Sequence, residues 1–147
     1  MEFQFQLHPS RILLSILCYD IWFYISHRFL HMPWLYRTVH HIHHALIVPT
    51  AFDTYEGHWS EGPLQSLGTF FPWVAYEYTI GDFLLILLFL NVRGMMRHDE
   101  RFVWLIGNHH LLHHRYPRWN YGEYWLDWLG GTLYPERREY KRGLVYM

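Results

Sequence analysis

Cysteine is nearly missing from this chain of 147 residues: Cys18 stands alone, which excludes an internal disulfide framework and any cysteine-based zinc or iron–sulfur site. Lysine is as scarce, with Lys141 set against eleven arginines. Arginine is the more weakly hydrated cation and suits half-buried or interfacial positions, so this imbalance points away from an ordinary soluble surface. Charged residues make up 17% of the chain, below the roughly 25% of a typical soluble domain. A formal net charge of −1, with histidine neutral, leaves no global positive field to hold a nucleic acid. No β alternation or internal repeat of useful length is found, and residues 1–10 show no secretory n-region, h-region and cleavage site. Also lacking is a clean apolar run of the ~20 residues that cross a bilayer core.

What the chain does have is histidine. Thirteen residues are His, and twelve of them lie between His27 and His114. Aromatic residues make up 20% and apolar residues 51%, ample for the core of a single domain spanning 1–147. An apolar stretch from Arg11 to Ile25 continues to His31 before Pro33 stops it, predicting a membrane helix over about 11–31. Asp20 lies inside it, where an acid is costly unless it faces a partner; an imidazole or a helix–helix polar contact both fit. A second apolar region, about 63–92, is interrupted by Glu77, Gly81 and Asp82 and predicts a tilted or half-crossing helical hairpin with an acidic turn. Arginines concentrate outside these segments, so the positive-inside rule turns the histidine clusters and the remaining cap toward the cytoplasm. The expected fold class is all-α: a membrane-associated helical bundle with a cytosolic His-rich helical cap.

Three clusters carry the chemistry: His27-Arg-Phe-Leu-His31, His40-His41-Ile-His43-His44 and His109-His110-Leu-Leu-His113-His114. On a helix, spacings of three and four residues place imidazoles on one face, within reach of the same or adjacent metal ions. The HxxxH pair and two HxxHH triplets offer eight neutral imidazoles: His27, His31, His40, His43, His44, His110, His113 and His114. Eight donors are too many for one ion of coordination number four to six, so two ions are implied. No Glu-x-x-His pair of the carboxylate-bridged di-iron bundles is present. His41 and His109 stand beside these positions, and His8 reads as incidental. Asp20, Asp53, Glu61, Asn108, Asn120 and Asp127 are candidates to fix imidazole orientation by hydrogen bonding.

HxxxH, HxxHH and HxxHH in this order, separated by apolar segments, resemble the fatty acid hydroxylase/sterol desaturase superfamily of membrane non-haem di-iron oxygenases. His58-Trp-Ser-Glu61, Asn120-Tyr-Gly122 and Leu126-Asp127-Trp-Leu-Gly-Gly-Thr132 support the resemblance, which runs from about Asp20 to Pro135. It implies an integral membrane protein of the endoplasmic reticulum or a bacterial inner membrane. It further implies two Fe ions, O2 as co-substrate, an external electron donor of cytochrome b5 or ferredoxin type, and hydroxylation or desaturation of a fatty-acyl or sterol-type lipid. Zn can replace Fe in a purified sample. His58 and His98 are the residues available for the further ligands relatives carry between the second and third clusters; Phe89 occupies a position where many relatives have histidine. The alternative reading is a non-catalytic, zinc-loaded or redesigned scaffold that keeps the family fold.

Overall fold

The computed structural model describes residues 8–77 and 79–145, and every regular element among them is helical. The opening residues 1–7, part of the stretch read above as free of a secretory signal, lie outside the described residues. Helix α1 runs Pro9–Leu30, with proline in its first turn, where its fixed φ and missing N–H cost nothing. At 22 residues it is about 33 Å long. Pro33 opens the three-residue α2, Pro33–Leu35, which passes into a π-helical turn over Tyr36–His40. Such widened turns recur at functional sites, and this one delivers His40 to the interior, fully buried.

The first limb of the expected hairpin, 63–76, is not one helix. It breaks into α3, Glu61–Ser66, followed by 3-10 turns at Leu67–Thr69 and Phe71–Val74. Two residues explain the break. A Cβ at Gly68 would stand 2.8 Å from Trp22 Cβ and 3.1 Å from Tyr19 Cα, so the backbone here lies directly on α1. Pro72 then removes a backbone donor. The second limb forms α4, Ile80–Arg97, which starts earlier than expected: Thr79 caps it by accepting from the Asp82 amide, so Gly81 and Asp82 belong to its first turn and not to a hairpin bend. Short helices α5, Val103–Ile106, α6, His109–Arg115, and α7, Tyr124–Gly130, complete the cap.

The interior is inverted relative to an ordinary globule. Among the described residues seven apolar ones are buried, Leu30, Ile86, Leu90 and Leu112 included, against twenty-one polar or charged ones. The apolar residues lie outside, in rows at i+4 spacing: Leu13, Leu17, Ile21, Ile25 and Phe29 along α1, and Ile80, Leu84, Leu88 and Val92 along α4, all exposed. The polar face of α1, with Ser15, Asp20, Ser26 and His27, turns inward. No helix of the described residues is long and apolar enough to cross a membrane, so a simple span over 11–31 is not what this helix offers.

Asp20 takes the helix–helix option. It pairs through both oxygens with the buried Arg93 of α4, whose second partner is Glu123 at 3.4 Å; Glu123 also meets Arg97. Two acids and two bases thus join α1, α4 and the segment before α7 with their charges balanced, the condition under which buried ions are tolerated.

Candidate metal centre

Nine histidines converge into two adjoining groups. One holds His27, His31, His40, His44 and His113; the other holds His43, His98, His110 and His114, and each could hold one metal ion. Both HxxHH triplets are divided between them: His40 and His44 turn to the first group and His43 to the second, while His113 joins the first and His110 and His114 the second. Stacked imidazole pairs, His40 on His43 and His110 on His113, each with ring centroids 5.3 Å apart, form the shared wall.

Tautomers follow from the acceptors. A carbonyl oxygen can only accept, so an Nδ1 bonded to one must carry the proton. His27 Nδ1 donates to Tyr121 O at 2.6 Å, His113 to Trp119 O at 2.6 Å, His43 to Glu56 O at 2.9 Å, His98 to Gly94 O at 2.8 Å and His114 to Leu46 O at 3.2 Å. His40 Nδ1 donates to Glu61 Oε2 at 2.5 Å. In the neutral rings every corresponding Nε2 is a bare lone pair. Yet the Nε2 atoms of His27 and His40 stand 3.0 Å apart and those of His43 and His98 3.1 Å. Two lone pairs cannot hydrogen-bond each other. His114 Nε2 is buried without a partner, aimed into the second group.

An ion between such atoms resolves the conflict. With metal–nitrogen bonds of about 2.1 Å, donors at right angles lie about 3.0 Å apart and tetrahedral donors about 3.4 Å. The observed 3.0–3.1 Å is a spacing that two donors to one shared ion can adopt. Electrostatics agree with a neutral donor set. Burial, reinforced by neighbouring imidazoles, depresses His40 and His114 to about 3 and holds His98, His110 and His113 well below the usual histidine range.

The remaining sequence candidates divide cleanly. His58 stands outside both groups: its Nδ1 meets Ser60 Oγ at 2.8 Å and its backbone N–H donates to Glu61 Oε1 at 3.0 Å, so it orients Glu61. His98 enters the second group. Glu61 is the candidate carboxylate that reaches a grouped imidazole. Asp53 instead closes a capping box with Thr50, and Asn108 pins the C-terminal segment through Glu139 O and Lys141 N. Asp127, fully buried, accepts from the Tyr121 and Gly122 amides at 2.8 and 2.9 Å, from Thr132 Oγ1 at 2.7 Å and from His109 Nε2 at 3.0 Å. Asn120, at a left-handed φ of 60°, ties His109 O, Tyr134 N and Tyr140 Oη together. Both hold the 119–122 loop, whose carbonyls orient His113 and His27. Those carbonyl acceptors were invisible in the sequence; the Asn-Tyr-Gly turn was the available signal.

A cavity of about 150 Å³ opens beside the second group, with His43, His98 and His110 in its wall and His27 from the first. Tyr19, Phe23 and Leu90 supply its apolar side.

An all-helical chain with an interior built on two abutting sets of neutral imidazoles defines a histidine-rich protein with paired candidate metal sites. The chain belongs to the fatty acid hydroxylase family, which it matches over residues 12–132. It is 34% identical over 131 residues, 82% of this chain and 36% of the relative, to a Delta(7)-sterol 5(6)-desaturase of Eremothecium gossypii. It is 32% identical over 124 residues, 77% of this chain and 33% of the relative, to that of Saccharomyces cerevisiae. In Schizosaccharomyces pombe the similarity is 35% over 120 residues, 77% and 36% of the two chains. The chain spans about a third of the length of the curated relatives it matches. No solved structure matches it.

Proposed function

We propose that this chain carries the oxidising centre of an O2-dependent lipid oxidoreductase, with a sterol-type substrate and desaturation as the favoured outcome. The observation that carries the reading is the set of facing, unprotonated Nε2 atoms 3.0–3.1 Å apart, each locked by an Nδ1–H donated to a fixed acceptor in the rings where that acceptor is defined. His27, His31, His40, His44 and His113 would hold one iron, and His43, His98, His110 and His114 the other. Two iron ions bound there supply the redox chemistry that turns O2 on an unactivated C–H bond. The similarity to sterol 5(6)-desaturases favours desaturation over hydroxylation. The balance is two hydrogens from adjacent carbons, two electrons from a donor, two protons and O2, giving an alkene and two waters.

The chain's own residues shape the encounter. Tyr19, Phe23 and Leu90 exclude water from the cavity wall, and Asn91 and Gln65 offer polar atoms that orient an oxygen-bearing substrate. A volume of about 150 Å³ is below the roughly 300 Å³ of a whole small-molecule pocket, so one edge of a ring system enters and the remainder stays outside. The exposed apolar rows of α1 and α4 support a lipid-facing setting for the protein, integral to the endoplasmic reticulum or an inner membrane, with the histidine cap on the cytoplasmic side.

The test is Fe(II) loading of the protein in lipid discs, with O2, a one-electron donor and a Δ7-sterol. A product two mass units lighter, lost in His98→Ala, is expected. Stoichiometric iron with no change in sterols or fatty-acyl lipids would instead establish a metal-holding scaffold without turnover.

A further inference from the structure

Each histidine group contains one half-buried member, and the two face different openings. His43 lines the substrate cavity. His31 lines a separate cleft of about 260 Å³ walled by Tyr36, Arg37, Pro117, Arg118 and Tyr121, and the two openings share no residue. Tyr36 and Tyr121 pack on the His31 ring with centroids 5.3 and 5.0 Å away, so the cleft floor is aromatic and reaches the five-histidine group directly. Arg37 and Arg118 are exposed on its rim, and neither forms a salt bridge among the described residues. Trp34, 72% exposed, stands on the same turn of chain.

We propose that the His31 cleft is the docking point of an acidic one-electron carrier protein, which feeds the five-histidine site through an opening distinct from the one that admits lipid. This rests on the oxidoreductase reading above. The occupant follows from charge and position. Two unpaired guanidiniums at a wet rim suit carboxylates on a partner, and paired rim charges act through association rate and salt dependence. The half-buried imidazole that lines the cleft beside them belongs to the five-histidine group, so the cleft reaches that group from the surface. In each encounter the carrier loses one electron and the oxidised metal site gains it; two encounters supply the two electrons the desaturation balance requires. The separation keeps the water-borne partner out of the cavity from which water must be excluded. Further cations at Arg137, Arg138, Lys141 and Arg142 lie on the C-terminal segment, outside the residues that wall the His31 cleft, and serve as the internal control.

The experiment compares full-length wild type, Arg37→Glu/Arg118→Glu and Arg137→Glu/Arg138→Glu. First, binding of a soluble cytochrome b5 of net negative charge is titrated against zinc-loaded protein, which requires no redox activity. Second, reduction of the iron-loaded protein by that carrier and by dithionite is followed by stopped flow. At low salt the Arg37/Arg118 variant should bind and be reduced by the carrier at least about tenfold more weakly, with a flattened salt dependence, while dithionite reduction and metal content stay unchanged. Equal losses in the Arg137/Arg138 variant, or no loss in the Arg37/Arg118 variant, overturn the assignment. So does a loss confined to binding of anionic lipid vesicles, which would make the rim a headgroup contact. Failure to take up iron, or to be reduced by dithionite, would count against the oxidoreductase reading and leave the zinc-form binding result to decide the docking surface.

Discussion

Asp127 offers the sharpest test of how the metal centre is held. Its carboxylate is fully buried and satisfies four donors, yet it touches no grouped histidine; its effect on the centre runs through the 119–122 loop. In Asp127→Ala the Thr132 hydroxyl can turn to Tyr24 Oη, 3.0 Å away, while the His109 ring keeps a buried N–H without an acceptor whichever nitrogen carries its proton. The Tyr121 and Gly122 amides have no escape either. Each orphaned buried donor costs about 1–3 kcal/mol, so the two amides alone should cost about 4 kcal/mol and the His109 N–H adds to it, a large share of a total stability of about 5–15 kcal/mol. Asp127→Asn keeps one oxygen, enough for Tyr121 N and Thr132 Oγ1, but turns its amide toward Gly122 N. One orphan remains, at a cost of about 2 kcal/mol. Because Tyr121 O and Trp119 O orient His27 and His113, the alanine variant should also weaken metal binding at the five-histidine site by about 10–100-fold, leaving the four-histidine site less affected. Urea unfolding in detergent and titration with a metal-indicator competitor read the two effects. Equal destabilisation by Ala and Asn, or wild-type affinity at both sites in Asp127→Ala, would refute the chain of reasoning.

His98→Ala should leave about one tightly bound metal per chain by elemental analysis, since it strips one of four donors from the second group and none from the first. Glu61→Gln weakens the acceptor on His40 Nδ1 and should cost about 10–100-fold in affinity at the first site, with helical content by circular dichroism unchanged. Gly68→Ala forces a Cβ to within 2.8 Å of Trp22 Cβ and should destabilise by about 1–3 kcal/mol, read as a lowered unfolding midpoint. In the metal-free protein His40 and His114 titrate near 3, while the unfolded chain takes up those protons near 6.5. The unfolded state therefore binds more protons below pH 6.5, and apo stability should fall steadily from there toward pH 3. Bound metal, which competes with those protons, should shift acid unfolding to lower pH. Unfolding that is flat between pH 6.5 and 4 would contradict the buried neutral imidazoles.

Histidine type and spacing survived into the structure because they report chemistry that tolerates few alternatives. The division of each HxxHH triplet was not legible: i, i+3 and i+4 share a helical face, yet the first triplet, on a π-helical turn running into a 3-10 turn, and the second, on the regular α6, each send members to both groups. His98 was visible as a candidate and His58 equally so; only the packing of α4 against the loop that carries His43 separates them. The apolar segments were legible in extent for α1 and misleading for 63–76, where Gly68 exists to let backbones meet and so cannot signal helix. Acid positions were the least readable. Asp20, Asp53, Asn108 and Asp127 all look equally able to face an imidazole in sequence, and Glu61 alone does so for a grouped one, because partner choice depends on contacts far along the chain.

The inverted interior ties these observations together. With few buried apolar residues, the fold cannot draw its stability from an ordinary core, and apolar burial must come from outside, against α1 and α4. What occupies the inside instead is a set of lone pairs facing lone pairs, an arrangement that repels itself until a cation lies between them. The carbonyls of Leu46, Glu56, Gly94 and, in one loop, Trp119 and Tyr121 lie on four separate stretches of chain, and each fixes one imidazole. Metal bound in both groups would therefore tie all four stretches into one unit. That makes the candidate centre the structural core of the cap as well as its chemistry, and it explains why polar residues with no reactive role, Asp127 and Asn120, are buried as completely as the histidines they serve.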